Sequence, residues 1–164
     1  MAAMFWQVAL GALETWLRAD AAFAALVTHA QGDAQVVDIA QGITPTIDPP
    51  CARLMRGPQG SLEGTAHVSG PLGEIPGQII LFLDLHAPDA VQTDDLSASD
   101  AWARLAQMEA AAIASLRAFF APTRSTTTIL GAPFAAQFSG PVPVAEEYHP
   151  AVASRLTILL NKEN

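Results

Sequence analysis

Between Ser97 and Phe120, apolar side chains return every three or four positions, at Trp102, Leu105, Met108, Ala112, Ile113, Leu116, Phe119 and Phe120. That period places them on one stripe of an α-helix about six turns long. Arg104, Gln107, Glu109, Ser115 and Arg117 are interleaved with alanines on the other side, so one face is expected on a core and the other against water or a partner. Ser97 with Asp100 resembles a capping box, and Pro122 ends the helix. A second helical pattern opens the chain, with Trp6, Leu10, Leu13 and Leu17 on one side and Glu14 and Arg18 on the wet side. Asp20 is placed to cap a continuation through Phe23, Leu26 and Val27 to Ala30, which predicts helix, break and helix ending near Gly32.

A period of two takes over in Gln78–His86, where Ile79, Leu81, Leu83 and Leu85 face one way and Ile80, Phe82 and Asp84 the other. Both faces begin apolar, so this strand is expected at the centre of a sheet and covered on both sides, by helices and by the arm or a neighbouring subunit. Val152–Leu160 alternates as a closing strand, with Leu156, Ile158 and Leu160 opposed to Arg155, Thr157 and Leu159. Shorter strands are predicted at Gln35–Ala40, Ala52–Met55, Thr65–Ser69, Thr126–Leu130 and Phe134–Phe138. Prolines exclude a central strand from Thr44 to Pro50, and Gly131, Pro133, Gly140, Pro141 and Pro143 punctuate the later ones. Arg56–Gly77 holds more than half of the glycines and reads as a long hairpin or projecting arm. The order of elements predicts one α+β domain over residues 1–164: a largely antiparallel β-sheet packed with two main α-helices, with long Gly/Pro-rich loops.

Composition sharpens this picture. At 164 residues the chain is 51% hydrophobic and only 15% charged, against roughly 25% charged in an average soluble domain. So little charge requires surface to be buried internally or against other subunits. The net charge of −8 arises from 16 acidic and 8 basic residues, and Lys162 is the only lysine. That balance argues against a grip on nucleic-acid backbone and suits a surface past which DNA slides. A single cysteine, Cys51, excludes a disulfide framework or thiolate cluster within one chain and makes intracellular assembly the default. The apolar start lacks a basic leader region and is interrupted by Gln7, Glu14 and Arg18, so neither a signal peptide nor a membrane helix is expected.

Candidate chemistry is sparse. His29, His67, His86 and His149 are far apart, and only Asp84 with His86 projects two ligand types from one strand face, short of the three or four a metal needs. Asp94–Asp95 and Glu146–Glu147 read as solvated loop acids, Cys51 as a buried thiol, and Gly60–Gly64 as neither a nucleophile elbow nor a phosphate loop. No catalytic, cofactor or metal site is expected. The loops instead offer a subunit or partner interface: Arg56, Gln59, Ser61, Glu63, His67 and Glu74 in the arm, and Glu146, Glu147 and Tyr148 in the later loop.

Four stretches, LETWLRADAAFAALV, QIILFLDLHAP, DAWARLAQMEAAAIASLRAFF and HPAVASRLTILL, follow one another in an order that resembles the tail terminator, or tail completion, proteins of long-tailed bacteriophages and gene transfer agents. The resemblance lies in order and texture over most of the chain and includes no catalytic or ligand motif. It implies a non-enzymatic virion protein of the tail–neck region. Such a protein assembles in the bacterial host cytoplasm as a homo-oligomeric ring, commonly a hexamer, which caps the tail tube protein and joins it to a head–tail connector or neck protein. DNA would be only passing cargo, there would be no membrane, and the long arm would reach a neighbour or the tube. Another head–tail connector or neck subunit is the near alternative. From a different class, a small α+β hydrolase or ligand-binding domain would have to use the scattered histidines and carboxylates.

Overall fold

The computed structural model describes residues 5–42, 49–57, 67–70, 73–76, 78–88, 98–121, 134–143 and 152–162. In chain order these form α1 (Phe5–Ala19), α2 (Ala21–Leu26), β1 (Thr28–Gln31), β2 (Ala34–Val37), β3 (Ile39–Gln41), β4 (Cys51–Arg56), β5 (His67–Gly70), β6 (Gly73–Pro76), β7 (Gln78–Ala87), α3 (Ala98–Phe119), β8 (Phe134–Pro143) and β9 (Val152–Lys162). Five strands make one sheet in the order β3-β4-β7-β9-β8, while β1-β2 and β5-β6 are separate two-stranded ribbons. Every pairing is antiparallel except β3 with β4. The fold is α+β: helices packed on a largely antiparallel sheet.

β7 lies at the centre of the sheet, with Asp84 and His86 fully buried on one face and Ile80 and Phe82 half-buried beside them. Its odd positions Ile79, Leu81, Leu83 and Leu85 join Leu54 of β4 and Leu156, Ile158 and Leu160 of β9 in one core, completed by Leu10, Leu13 and Leu17 of α1, Phe23 of α2 and Leu105, Met108, Leu116 and Phe119 of α3. All of these are essentially inaccessible to solvent. A polar contact ties α1 to α3: Trp16 Nε1 donates to the Ser115 carbonyl at 3.0 Å and lies 3.1 Å from its hydroxyl. Asp20 caps α2 by accepting from the Ala22 and Phe23 amides at 3.1 and 3.2 Å. A hydrogen bond from the Ser115 hydroxyl, aided by those amides and opposed by burial, holds the Asp20 carboxyl below its usual range.

Several expectations are corrected. The second helix stops at Leu26 and does not reach Ala30, because Val27 and Thr28 turn back on it: the Val27 amide and Thr28 hydroxyl both donate to the Ala24 carbonyl. Thr28–Gln31 instead pairs with Ala34–Val37 across Gly32–Asp33, with Gly32 at φ 61° in the first central position of a two-residue hairpin turn. The strand expected over Gln35–Ala40 is broken at Asp38, which passes from the small ribbon to the main sheet. On α3, Trp102 is 51% exposed and Ser115 is buried, the reverse of their assigned faces; the buried stripe runs Ala101, Leu105, Met108, Ala112, Leu116, Phe119. β8 does not stop at Phe138 but passes through Gly140 and Pro141 as a bulge between Ser139 and Val142, which a sheet edge tolerates. The Ser97 cap, Pro122 and the Thr126–Leu130 strand lie outside the described residues.

Glycine substitutions distinguish the two backbone environments. Gly140 has φ 101°, and an added Cβ would stand 2.7 Å from the Arg155 carbonyl oxygen; Gly11, within α1, would meet nothing within 4 Å. Gly140→Ala is expected to cost about 1–3 kcal/mol and Gly11→Ala to add about 0.5–1 kcal/mol, both measured by urea unfolding.

Candidate functional site

The face of the sheet turned away from the helices carries a row of charge. Register places Arg53 of β4 opposite Asp84 of β7, and Asp84 opposite Arg155 of β9. Arg155 grips the fully buried Asp84 with both arms of its guanidinium, Nε to Oδ1 at 2.7 Å and Nη2 to Oδ2 at 2.8 Å. Its guanidinium carbon also sits 4.4 Å from the Phe82 ring centroid. Arg53 turns the other way, donating from Nη1 at 2.7 Å and Nη2 at 3.3 Å to the two carboxylate oxygens of Asp38. His29 Nε2 lies 3.1 Å from Asp38 Oδ2. The row therefore alternates in sign: Asp38, Arg53, Asp84, Arg155.

Asp38 earns this place through its backbone. Its amide donates to the Val27 carbonyl at 2.9 Å, and its carbonyl accepts from the Ala52 amide at 2.9 Å, which joins the end of α2 to β4. Burial raises the Asp38 pKa, but hydrogen bonds and charge from Arg53 and His29 outweigh it and hold the carboxyl below its usual range. Burial likewise works against the Arg53 charge, and the Asp38 hydrogen bond reverses this, leaving the pKa raised. His86, fully buried on the same face, is driven down to about 4, chiefly by burial and further by Arg53 and Arg155 against the opposing pull of Asp84. At neutral pH its imidazole is uncharged.

Cys51 is the register partner of His86, so thiol, imidazole and the Asp84 carboxylate occupy neighbouring positions on one face. This order resembles that of a thiol nucleophile, its base and an orienting acid. The geometry does not serve that chemistry. Cys51, His86 and Asp84 all have zero exposure, and both Asp84 oxygens are engaged by Arg155. Four charges of alternating sign sum to zero, and the arrangement fixes strands.

Of the interface residues expected from sequence, Arg56 ends β4, is exposed, and places its guanidinium 5.1 Å from the Trp6 ring centroid, beside α1. His67 and Glu74 lie on the β5-β6 ribbon, His67 paired with Pro76 and Glu74 with Ser69. Gln59, Ser61, Glu63, Glu146, Glu147 and Tyr148 lie outside the described residues, as do Asp94, Asp95 and His149. Among the described residues, no three of His, Cys, Asp or Glu group as a metal ion requires, and no helix is long and apolar enough to cross a membrane. Asp84 stood out in the sequence but its arginines did not; the available signal was an acid inside an apolar strand, with Arg53 and Arg155 at matching positions on the two flanking strands. No protein-family model, curated protein or solved structure matches the chain.

Arg155→Met strands the Asp84 charge in the interior and is expected to cost about 3–5 kcal/mol in urea unfolding, while Asp84→Leu with Arg155→Met recovers most of that loss. His86 also makes stability depend on pH. Its folded pKa, about 4, lies below the ordinary value of 6.5, so the unfolded chain binds the proton first and stability is lost as pH falls through this window. At about 1.4 kcal/mol per pH unit the loss approaches about 3 kcal/mol. Urea midpoints taken from pH 7 to pH 4 should fall in the wild type and fall less in His86→Leu.

Proposed function

We propose that this chain is a structural subunit of a phage-like particle: a ring-forming tail terminator that caps the tail tube and joins it to the neck. The observation that carries this reading is the edge strand β8. It closes the main sheet among the described residues, and its ten residues from Phe134 to Pro143 include no charged side chain. Gln137, Ser139 and Pro141 are exposed, and Val142 is 56% exposed. Proteins that act alone guard such edges with charge, prolines or bulges; the Gly140–Pro141 bulge and Pro143 guard the far half of β8, and the stretch Ala135–Ser139, with neither charge nor proline, is the part that suits pairing with a neighbouring chain. Head-to-tail repetition of one contact closes into a ring when its rotation divides a full turn.

The acidic balance of −8 fits a lumen through which DNA passes without being held. A different neck or connector subunit would share these features and differ in its partners. The hydrolase or ligand-binding reading draws no support from Cys51, His86 and Asp84, which substrate does not reach. On the proposed reading the partners are other copies of the chain, the tail tube protein and a head–tail connector protein. Its place is the tail–neck region of the virion, after assembly in the bacterial cytoplasm.

Light scattering on the purified protein tests this reading. The expected result is a discrete oligomer near six times the 17.2 kDa chain mass, reduced by Gln137→Lys, which puts a charge on the edge strand while leaving the thermal melt unchanged. A monomer at every concentration that also fails to bind purified tail tubes would refute it.

A further inference from the structure

The β1-β2 ribbon is not hydrogen-bonded to the main sheet, and a two-stranded hairpin by itself is marginally stable in water. Its tip, from Ala30 to Gln35, is exposed at every residue, so what holds the ribbon lies at its base. There the Asp38 amide donates to the Val27 carbonyl, the Thr28 hydroxyl donates to the Ala24 carbonyl at 2.7 Å, and Arg18 donates to the Val37 carbonyl at 3.1 Å. His29 adds a side-chain tie to Asp38, whose carboxylate also holds Arg53 of β4.

Both ring nitrogens of His29 face oxygens that accept. Nδ1 lies 3.3 Å from the Ala30 carbonyl oxygen, and Nε2 lies 3.1 Å from Asp38 Oδ2. A carbonyl has no proton to give, and the Asp38 carboxyl, held below its usual range, is ionised at neutral pH. A neutral imidazole carries one N–H, so it would aim the lone pair of its other nitrogen at one of these oxygens. The imidazolium carries two and satisfies both, with a charge-assisted bond to the carboxylate. The His29 side chain is 12% exposed and that of Asp38 20%, which limits the competition from water.

The charges around the ring decide whether it can hold the proton. Among the described residues, Asp38 favours it and Arg53 opposes it. Arg53, however, is engaged by both oxygens of Asp38 and stands opposite Asp84 in the sheet, so its charge is balanced on two sides. Arg18, at the base of the ribbon, is paired with Glu14 at 3.1 Å. Asp33 at the ribbon's turn and Asp20 at the start of α2 add no positive charge.

We propose that His29 is a proton-operated latch on the β1-β2 ribbon: its imidazolium bridges the Ala30 carbonyl and the Asp38 carboxylate, and loss of the proton surrenders one of these bonds and loosens the ribbon. The sign is opposite to that of His86. A histidine that binds its proton more tightly folded than unfolded contributes stability below the unfolded value, and the contribution is lost as pH rises through the folded one. The latch is independent of the ring reading, since it acts within one chain.

Two measurements on the full chain test it. The His29 Cε1 proton, assigned by its absence from the spectrum of His29→Gln, should titrate in NMR with a midpoint above the ordinary 6.5. Hydrogen exchange read by mass spectrometry, corrected for the intrinsic pH dependence of amide exchange, should show protection of Thr28–Asp38 falling about fivefold between about pH 5.5 and about pH 8.5, the loss of one hydrogen bond. Protection of Gln78–Ala87 should show no such fall. His29→Gln, which keeps a donor for Asp38 and does not titrate, should remove the pH dependence of the ribbon, and His86→Leu should retain it. A His29 midpoint at or below 6.5 overturns the proposal. So does ribbon protection that does not fall with rising pH, or a fall that persists in His29→Gln; either result leaves the tail reading standing.

Discussion

A carboxylate buried at the centre of the sheet sets the terms for its neighbours. Asp84 has no exposure, and an unpaired charge there would cost several kcal/mol. The strand on one side supplies Arg155 as a two-armed partner, and the strand on the other brings Arg53 opposite, itself neutralised by Asp38. Side chains alternate faces along a strand, so a slip of one residue in β4 or β9 would turn an arginine into the leucine-rich core. The row therefore fixes register in three adjacent strands at once. Its net contribution to stability is small or even unfavourable relative to apolar residues of the same shape; its effect is to exclude other alignments.

The helical layer follows from the same alignment. With Asp84 and His86 committed to one face, Ile79 to Leu85 present leucine and isoleucine to the other, and α1 and α3 cover them. Asp38 links the two layers: its backbone ties the end of α2 to β4 while its side chain enters the charged row. Arg18 adds a clamp at the same corner, donating to the carbonyls of Val37 and Ile39 while its Nε meets Glu14 at 3.1 Å. Trp16 and Asp20, both drawn to Ser115, hold the three helices in step.

Much of the fold was legible because burial leaves strong periodic traces. The alternation of β7 and β9 and the three-four recurrence in α3 identified the central strand, its partner and the long helix. The misreadings occurred where local chemistry overrode period. Phe23, Leu26 and Val27 read as a continuing helix, yet Thr28 and Gly32 favoured a hairpin that the apolar spacing does not reveal. Gly140 and Pro141 read as a strand end, although an edge position turns the same residues into a bulge. Trp102 fits the apolar stripe by spacing and still stands half in solvent, in the first turns of its helix. The charged row was least legible of all, because Asp38, Arg53, Asp84 and Arg155 are dispersed along the chain, and only sheet order makes them neighbours.

The use of charge inside the sheet also bears on the surface. With only 15% of its residues charged, the chain buries Arg53 and Asp84, sets Asp38 and Arg155 half-buried beside them, and leaves uncharged stretches such as β8 outside. An edge strand has direction, so pairing it with an unlike surface repeats head to tail. Such a contact closes into a ring when its rotation divides a full turn and grows into an open filament when it does not. The angle between successive copies, and not the strength of the contact, therefore decides whether assembly stops, and a rigid sheet whose register is fixed by the charged row holds that angle constant from copy to copy.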